Sequence, residues 1–135
     1  MTFANALRFL LLAFVCSTAR GTSGTLTAPL GITHVDVTGT NMRFIKRIDK
    51  SSDISAIVAF VSQRRDGWTQ PVAGVPVAQL YAYFYNGDRV AGHFGVGPGF
   101  FETDLAGDHF RSKDATKSEC NTLLALIGMR STQSK

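Results

Sequence analysis

Histidines and carboxylates are the side chains of this sequence best suited to acid–base chemistry. The chain has three histidines, His34, His93 and His109. Glu102 and Asp104 lie two residues apart, a spacing that places two side chains on one face of a strand. A small secreted hydrolase could use His93 or His109 with either carboxylate to transfer protons or cleave a glycosidic bond. Solvated charges at a sheet edge are the commoner interpretation of the same residues.

The three histidines lack the spacing of metal ligands. Neither H-x-H nor H-x-x-x-H occurs, although close pairs are typical of zinc sites. Strands could still bring the three histidines together, so a three-histidine site stays open as the less favoured alternative. We therefore expect no metal and no cofactor.

Motifs for covalent catalysis or phosphate binding are also missing. The sequence has no G-x-S-x-G. Cys120 lies on the apolar stripe of a predicted helix, which favours a small buried hydrophobic residue over a nucleophile. Residues 95–99 are glycine-rich, but Pro98 removes a backbone donor, so we predict a turn rather than a phosphate loop. No catalytic residue is assigned, and the balance favours a protein that is not an enzyme.

The first 19 residues have the features of a cleavable signal peptide. Arg8 supplies a positive charge, residues 9–15 form an apolar run, and Ser17 and Ala19 give the small-x-small pattern of a cleavage site. The run is much shorter than the ~20 apolar residues that span a bilayer. We therefore expect a periplasmic or secreted protein that meets the membrane only through its transient signal. A buried N-terminal helix is the alternative.

Export would change what the cysteines can do. Cys16 would leave with the signal, and Cys120 alone cannot form an intramolecular disulfide. The bulky Val15 directly before Cys16 disfavours a lipid-anchored protein.

The net charge is +4, and the basic residues form small clusters, at residues 43–50 and at 64–65. They neither alternate with aromatic residues nor follow one helix face, so a solvated surface is favoured and nucleic acid is not an expected partner. An envelope component that binds anionic lipid or glycan is an alternative, and its binding should weaken with salt.

Hydrophobic periodicity predicts a single α+β domain at residues 32–128, after a flexible lead-in at 20–31 and before a polar tail at 129–135. The architecture is two-layer, with an antiparallel sheet and two amphipathic helices packed on one face, in the order ββαββββα. Strands are predicted at 32–38, 42–48, 79–85, 89–96, 100–104 and 108–112, helices at 52–65 and 117–127, and a loop at 68–76.

Both predicted helices carry an apolar stripe and end signals. The second helix should begin with a capping box of Thr116 and Glu119 and end at Gly128. Asp49, Ser51 or Ser52 could cap the first helix. The stripes consist of Ile54, Ile57, Val58 and Val61 in the first helix and Cys120, Leu123, Leu124 and Ile127 in the second.

The hairpin around Asn86-Gly87 can be connected in two ways. A two-residue turn is usual for Asn-Gly, whereas a three-residue loop of Tyr85, Asn86 and Gly87 shifts the register by one. We predict the three-residue loop, because it collects the apolar side chains on one face. These are Leu80, Ala82, Phe84, Val90, Phe94 and Val96.

The opposite face of this hairpin is the surface most suggestive of function. It would carry Tyr81, Tyr83, Tyr85, Arg89, Ala91 and His93, and tyrosine and arginine are enriched in binding hot spots. Tyrosines also suit strands intrinsically, and a second layer could cover them. Trp68 is either a lid over the core or a further contact residue. We therefore expect a small exported binding protein, most plausibly an inhibitor or immunity-type partner of another exported protein. The candidate binding residues are Tyr81, Tyr83, Tyr85, Arg89, His93 and Trp68.

Overall fold

The computed structural model describes residues 24–107 and 109–130. The predicted signal peptide at 1–19 lies outside these residues, as do the start of the lead-in and most of the polar tail. The elements are β1 His34–Gly39, a 3₁₀ turn at Thr40–Met42, β2 Phe44–Ile48, α1 Ser51–Ser62, β3 Leu80–Asn86, β4 Arg89–Gly97, β5 Phe100–Thr103, β6 Arg111–Asp114 and α2 Lys117–Leu126.

The strands form one antiparallel sheet in the order β2-β1-β3-β4-β5-β6. This arrangement confirms the predicted α+β class and the order ββαββββα. Because side chains alternate along each strand, one face of the sheet meets the two helices and the other does not. The core between sheet and helices includes Val35, Val37, Ala82, Phe84, Phe94, Val96 and Phe101 from the strands, with Ile54, Ile57, Phe60, Val61, Cys120, Leu123 and Ile127 from the helices and the residue after α2.

The two helices begin differently. At α2 both hydrogen bonds of the capping box are present, between Glu119 N and Thr116 Oγ1 (3.1 Å) and between Thr116 N and Glu119 Oε2 (2.9 Å). Gly128 follows with φ 70°, the left-handed conformation of a helix stop. At α1 the N-cap is Lys50, which makes no side-chain cap bond, and the helix ends at Ser62 rather than at residue 65.

The β3–β4 hairpin differs from the predicted loop. Asn86 pairs with Arg89, so the turn contains two residues, Gly87 and Asp88. The register shift occurs instead inside β4, where Tyr85 pairs with Val90 but Phe84 pairs with Gly92. Ala91 is therefore the extra residue of a β-bulge. Beyond the bulge the predicted apolar face forms, whereas Val90 lies outside it and is 50% exposed.

The chain before residue 32 packs on the domain. Leu26 is 3% exposed and belongs to the core. The backbone N–H groups of Gly24 and Leu26 donate to the carbonyl oxygens of Trp68 and Arg65 at 2.9 and 2.8 Å. The packed part of the chain thus includes residues 24–27, upstream of the boundary expected from composition.

Candidate ligand-binding cleft on the second face of the sheet

The sheet face turned away from α1 and α2, here called the second face, is polar and aromatic. The register places Tyr83 beside Asp36 and His93, and Tyr81 beside Thr38 and Gly95. Glu102 lies opposite Gly95 on the next strand. Asp36, Thr38, His93 and Glu102 are all less than 10% exposed, although they are polar. Buried polar groups of this kind require partners, so their contacts determine how this face is built.

His93 forms the centre of a cluster with Glu102 and Asp104, here called the triad. Its Nε2 lies 2.7 Å from Glu102 Oε1, and its Nδ1 lies 3.3 Å from Asp104 Oδ2. The backbone N–H of His93 also donates to Asp104 Oδ1 at 2.8 Å. Both ring nitrogens therefore face carboxylate oxygens, an arrangement that suits an imidazolium with two N–H donors.

Charge and burial have opposite effects on the pKa values of His93 and Asp104. Burial lowers the pKa of His93, but the hydrogen bonds with Asp104 and Glu102 and their negative charges raise it more, to about 9. Burial raises the pKa of Asp104, while its bonds to the ring and backbone of His93 bring the pKa below the usual value. At neutral pH His93 is thus a cation between two acceptors.

The bulge in β4 positions this cluster. Ala91 shifts the register so that His93 falls on the second face beside Tyr83. Gly92 has φ 150°, and a β carbon there would lie 2.9 Å from Asp104 Oδ1. A side chain at position 92 would therefore displace Asp104, which follows the last residue of β5. The glycine lets the carboxylate approach the backbone of His93.

Three aromatic rings surround the imidazole. The ring centroids of Tyr81, Tyr83 and Phe110 lie 5.7, 5.5 and 5.3 Å from that of His93. Tyr81 donates a long hydrogen bond of 3.4 Å to Glu102 Oε2. Burial, followed by the charge of Glu102, raises the pKa of both tyrosines, so their hydroxyls stay protonated.

Gly95 makes room for one of these rings. It is the cross-strand partner of Tyr81, and a β carbon at Gly95 would lie 3.0 Å from Tyr81 Cδ1. The missing side chain lets the tyrosine ring lie close against β4. The ring position thus depends on a small residue in the neighbouring strand.

The three rings, with His93 and Glu102 of the triad, line a cleft of about 310 Å³. Met42 and Phe110 stand at its rim and are 64% and 52% exposed. The cleft is lined by Thr40, Asn41, Met42, Val75, Pro76, Val77, Tyr81, Tyr83, His93, Glu102 and Phe110. A second cavity of about 460 Å³ shares Val75 and Phe110 with it and is also lined by Gln70, Asp104 and His109.

The 3₁₀ turn at the rim has an uncommon backbone. Asn41 and Met42 have φ 62° and 60°, in the left-handed region that residues with side chains seldom occupy. Met42 Sδ lies 3.1 Å from the hydroxyl of Tyr83. Such conformations cluster at functional sites. The strained turn thus places an exposed thioether against the aromatic wall.

The structure brings together three of the six candidate binding residues, Tyr81, Tyr83 and His93. Tyr85 lies on the same face but farther along, where its ring stacks on His34 at 4.7 Å. Arg89 lines a separate cavity near the hairpin turn. Trp68 is 0% exposed, and its Nε1 donates to the carbonyl of Arg64 at 2.6 Å, so it is a core residue rather than a surface contact.

Sequence reasoning did not identify Met42, Val75, Pro76, Val77 or Phe110 as part of this surface. Most of them lie in loops, whose path over a sheet has no periodic signature. The exposure of Phe110 could not be foreseen, because it was predicted inside a strand that begins at Arg111 in the structure. Glu102 and Asp104 were recognised as sharing a face, and both contact His93.

The geometry limits the chemistry of His93. A general base needs a free lone pair, whereas both nitrogens of this ring are engaged by carboxylates. The described residues contain no group of three histidine, cysteine or acidic side chains arranged to hold a metal ion. Cys120 lies on the core side, and burial raises the pKa of its thiol, which disfavours a reactive thiolate.

No protein-family model, curated protein or solved structure matches the chain significantly. Neither α1 nor α2 has the length and apolar character that a helix needs to cross a bilayer.

Proposed function

We propose that this protein is a small binding protein that receives part of another protein in the cleft on its second face. The observation that carries the proposal is the cleft itself, which has an exposed apolar rim at Met42 and Phe110 above a fixed polar floor at His93 and Glu102. Exposed apolar surface beside fixed polar groups is typical of interaction sites.

The floor supports binding because it is already organised. His93 is held at both nitrogens, and the rings of Tyr81 and Tyr83 pack against it and against each other, with a centroid distance of 6.1 Å between the tyrosines. Rigid aromatic side chains lose little conformational freedom when a partner binds. Specificity would come from the floor, and most of the buried area would come from the rim.

The finer hypothesis is an exported inhibitor or immunity-type partner of another exported protein. Its support is the signal-peptide pattern of residues 1–19 together with the binding cleft. Expression of the full chain with a C-terminal tag, followed by fractionation and N-terminal sequencing, tests export. Recovery outside the cytoplasm with a new N-terminus near residue 20 would support it. A chain that keeps Met1 and stays in the cytoplasm would contradict it.

Partner capture tests the binding function. The full chain with a C-terminal tag is immobilised and exposed to envelope and culture extracts of the source organism. We expect a retained protein whose recovery falls by at least about tenfold with Met42→Ala/Phe110→Ala. Both side chains are largely exposed, so the substitutions should leave the fold intact while removing apolar contact area.

The matched control is Val72→Ala/Leu30→Ala, which removes two exposed apolar side chains that do not line the cleft. Retention that both double variants weaken equally would indicate nonspecific adhesion. Retention unaffected by the rim substitutions would contradict a binding role for the cleft.

Hydrolysis is the second candidate, favoured by one observation, the hydrogen-bond distance between His93 and two carboxylates. It would require His93 to act as an acid, because the ring is protonated at neutral pH and has no free lone pair. A panel of chromogenic esters, phosphates and glycosides tests it. Turnover that Glu102→Gln abolishes would favour the enzyme, and absence of turnover would leave the binding function as the better account.

A further inference from the structure

We infer that the cleft binds a basic side chain, an alkylammonium or guanidinium group presented by the partner protein. This inference rests on the proposed binding function and specifies the chemistry of the group that enters. Three features of the described residues carry it: the aromatic walls, the charge of the triad, and the apolar residues of the lining.

The walls present aromatic ring faces and edges to the cleft. Tyr81, Tyr83 and Phe110 all line it, and Met42 adds a polarizable thioether. Cations bind over aromatic rings within about 6 Å of the ring centroid, and several rings around one pocket are the usual design for ammonium ligands. All three rings also lie within that distance of the His93 imidazole.

The triad has more negative than positive charge, with Glu102 in the lining of the cleft and Asp104 in the lining of the adjoining cavity. Two carboxylates of the triad face a single imidazolium, and Glu102 Oε2 is left with the long 3.4 Å contact from Tyr81. Among the described residues, neither lysine nor arginine lines this cleft or the adjoining cavity. This is notable in a chain of net charge +4. A second cation would complete the charge balance of the triad.

The middle of the cleft suits a hydrocarbon stem. Val75, Pro76 and Val77 contribute apolar side chains to the lining. Lysine and arginine bury their methylene groups against apolar surface while the charged head reaches a polar environment. An anion would instead meet Glu102, and a neutral alkyl group would leave Glu102 Oε2 without a better partner.

Small-molecule probes test the inference without the partner. The full chain is titrated with Nα-acetyl-lysine-N-methylamide, with the norleucine analogue as a neutral match and the glutamate analogue as an anion. Binding is followed by the NMR shifts of the tyrosine rings. We expect the lysine probe to bind at least about tenfold more tightly than the norleucine probe. Glu102→Gln should reduce that preference to less than about threefold.

Two variants keep the test decisive. Asp88→Asn removes one negative charge from the exposed hairpin turn, so it matches the charge change of Glu102→Gln outside the cleft and should preserve the preference. Phe110→Leu keeps an apolar side chain at an exposed position but removes a ring, and should weaken lysine binding severalfold even if Glu102→Gln fails to fold.

Equal binding of the lysine and norleucine probes, preference for the glutamate probe, or no binding of any probe would overturn the inference. Partner capture that depends on Met42 and Phe110 would leave the proposed function standing in each case. If neither the preference for the lysine probe nor the dependence of partner capture on Met42 and Phe110 were observed, both the proposed function and the inference would be contradicted.

Discussion

The two faces of the sheet are made by the same strands but held together by different forces. On the core face, Phe84, Phe94 and Phe101 are at most 1% exposed and pack beneath the helices. On the second face, His93 and Glu102 are buried almost as deeply, yet they depend on polar partners at defined distances. Apolar packing tolerates changes that preserve volume, whereas a buried ion cluster tolerates little change in any of its members.

Because of this difference, the two faces are expected to contribute differently to stability and to recognition. On the core face the three phenylalanines are buried, so their contribution is to folding. The second face combines the buried pair His93 and Glu102 with exposed rim residues, Met42 and Phe110. Only the outer part of the second face can change with little effect on the fold.

The largest effect is expected from the core face. Phe94→Ala should reduce the free energy of unfolding by about 3–5 kcal/mol, because it removes ring contacts with Phe60, Trp68 and Phe101 and leaves a cavity. Urea denaturation measures the change. Val90→Ala in the same strand is the control: Val90 is half exposed, and its replacement should cost less than about 1 kcal/mol. Similar losses from both variants would contradict the assignment of the core face.

The triad should give the next largest effect. His93→Leu leaves Glu102 buried without its cation and should cost about 3 kcal/mol, as should Glu102→Leu. In the double variant Glu102 no longer lies buried without His93, so its loss should be smaller than the two single losses together by at least about 1 kcal/mol. Additive losses in this double-mutant cycle would show that the two side chains are stabilised independently.

The core face was largely predictable from sequence because periodicity encodes it. The helix stripe residues Ile54, Ile57 and Val61 are buried, and the capping box at Thr116 forms as expected. The bulge at Ala91 was not predicted, since it depends on Asp104 and Leu105 approaching Gly92 from another part of the chain. The turn preference of Asn86-Gly87 is local, so it carries no information about residues that approach from elsewhere in the chain.

The second face was predictable only in part. Alternation identified Tyr81, Tyr83 and His93 as neighbours, and the spacing of Glu102 and Asp104 indicated a shared face. Glu102 and Asp104 both contact the imidazole of His93 because of the strand register and the path of the loop after β5. Neither feature can be recognised from a sequence pattern. Trp68 was a candidate for this surface but is buried in the structure. Its burial depends on the N-terminal segment that pairs with it at Gly24.

Protonation of the triad should make the two faces respond differently to pH. The folded-state pKa of His93 is about 9, above its ordinary value of 6.5, so its stabilising contribution is complete below about pH 6.5 and is lost as the pH rises through about 9. Asp104 has a lowered pKa, so its contribution is lost as the pH falls below its ordinary value of 3.8.

Wild type and His93→Gln should therefore differ most in stability between about pH 4 and 6.5 and converge at higher pH. Urea denaturation at about pH 5.5, 7.5 and 9.5 measures this difference. Phe94→Ala, which changes no titrating group, should differ from wild type by a nearly constant amount. A His93→Gln difference that grows above about pH 9 would reverse the assigned charge state.

The smallest effect is expected from the ion pair that Asp36 on the second face forms with the exposed side chain of Arg47. Their hydrogen bonds are short, 2.7 Å from Arg47 Nε and 2.9 Å from Arg47 Nη2, but the arginine side chain is 53% exposed. Water and salt screen such a pair, so Arg47→Gln should cost less than His93→Gln, and proportionally less in concentrated salt. His93→Gln should keep most of its cost under the same salt, because the His93–Glu102 pair is hardly exposed. Urea denaturation of both variants at low and high salt compares them. Equal losses of unfolding free energy for Arg47→Gln and His93→Gln, both unchanged by salt, would contradict this expectation. Burial would then not be what distinguishes the floor of the cleft from its surroundings.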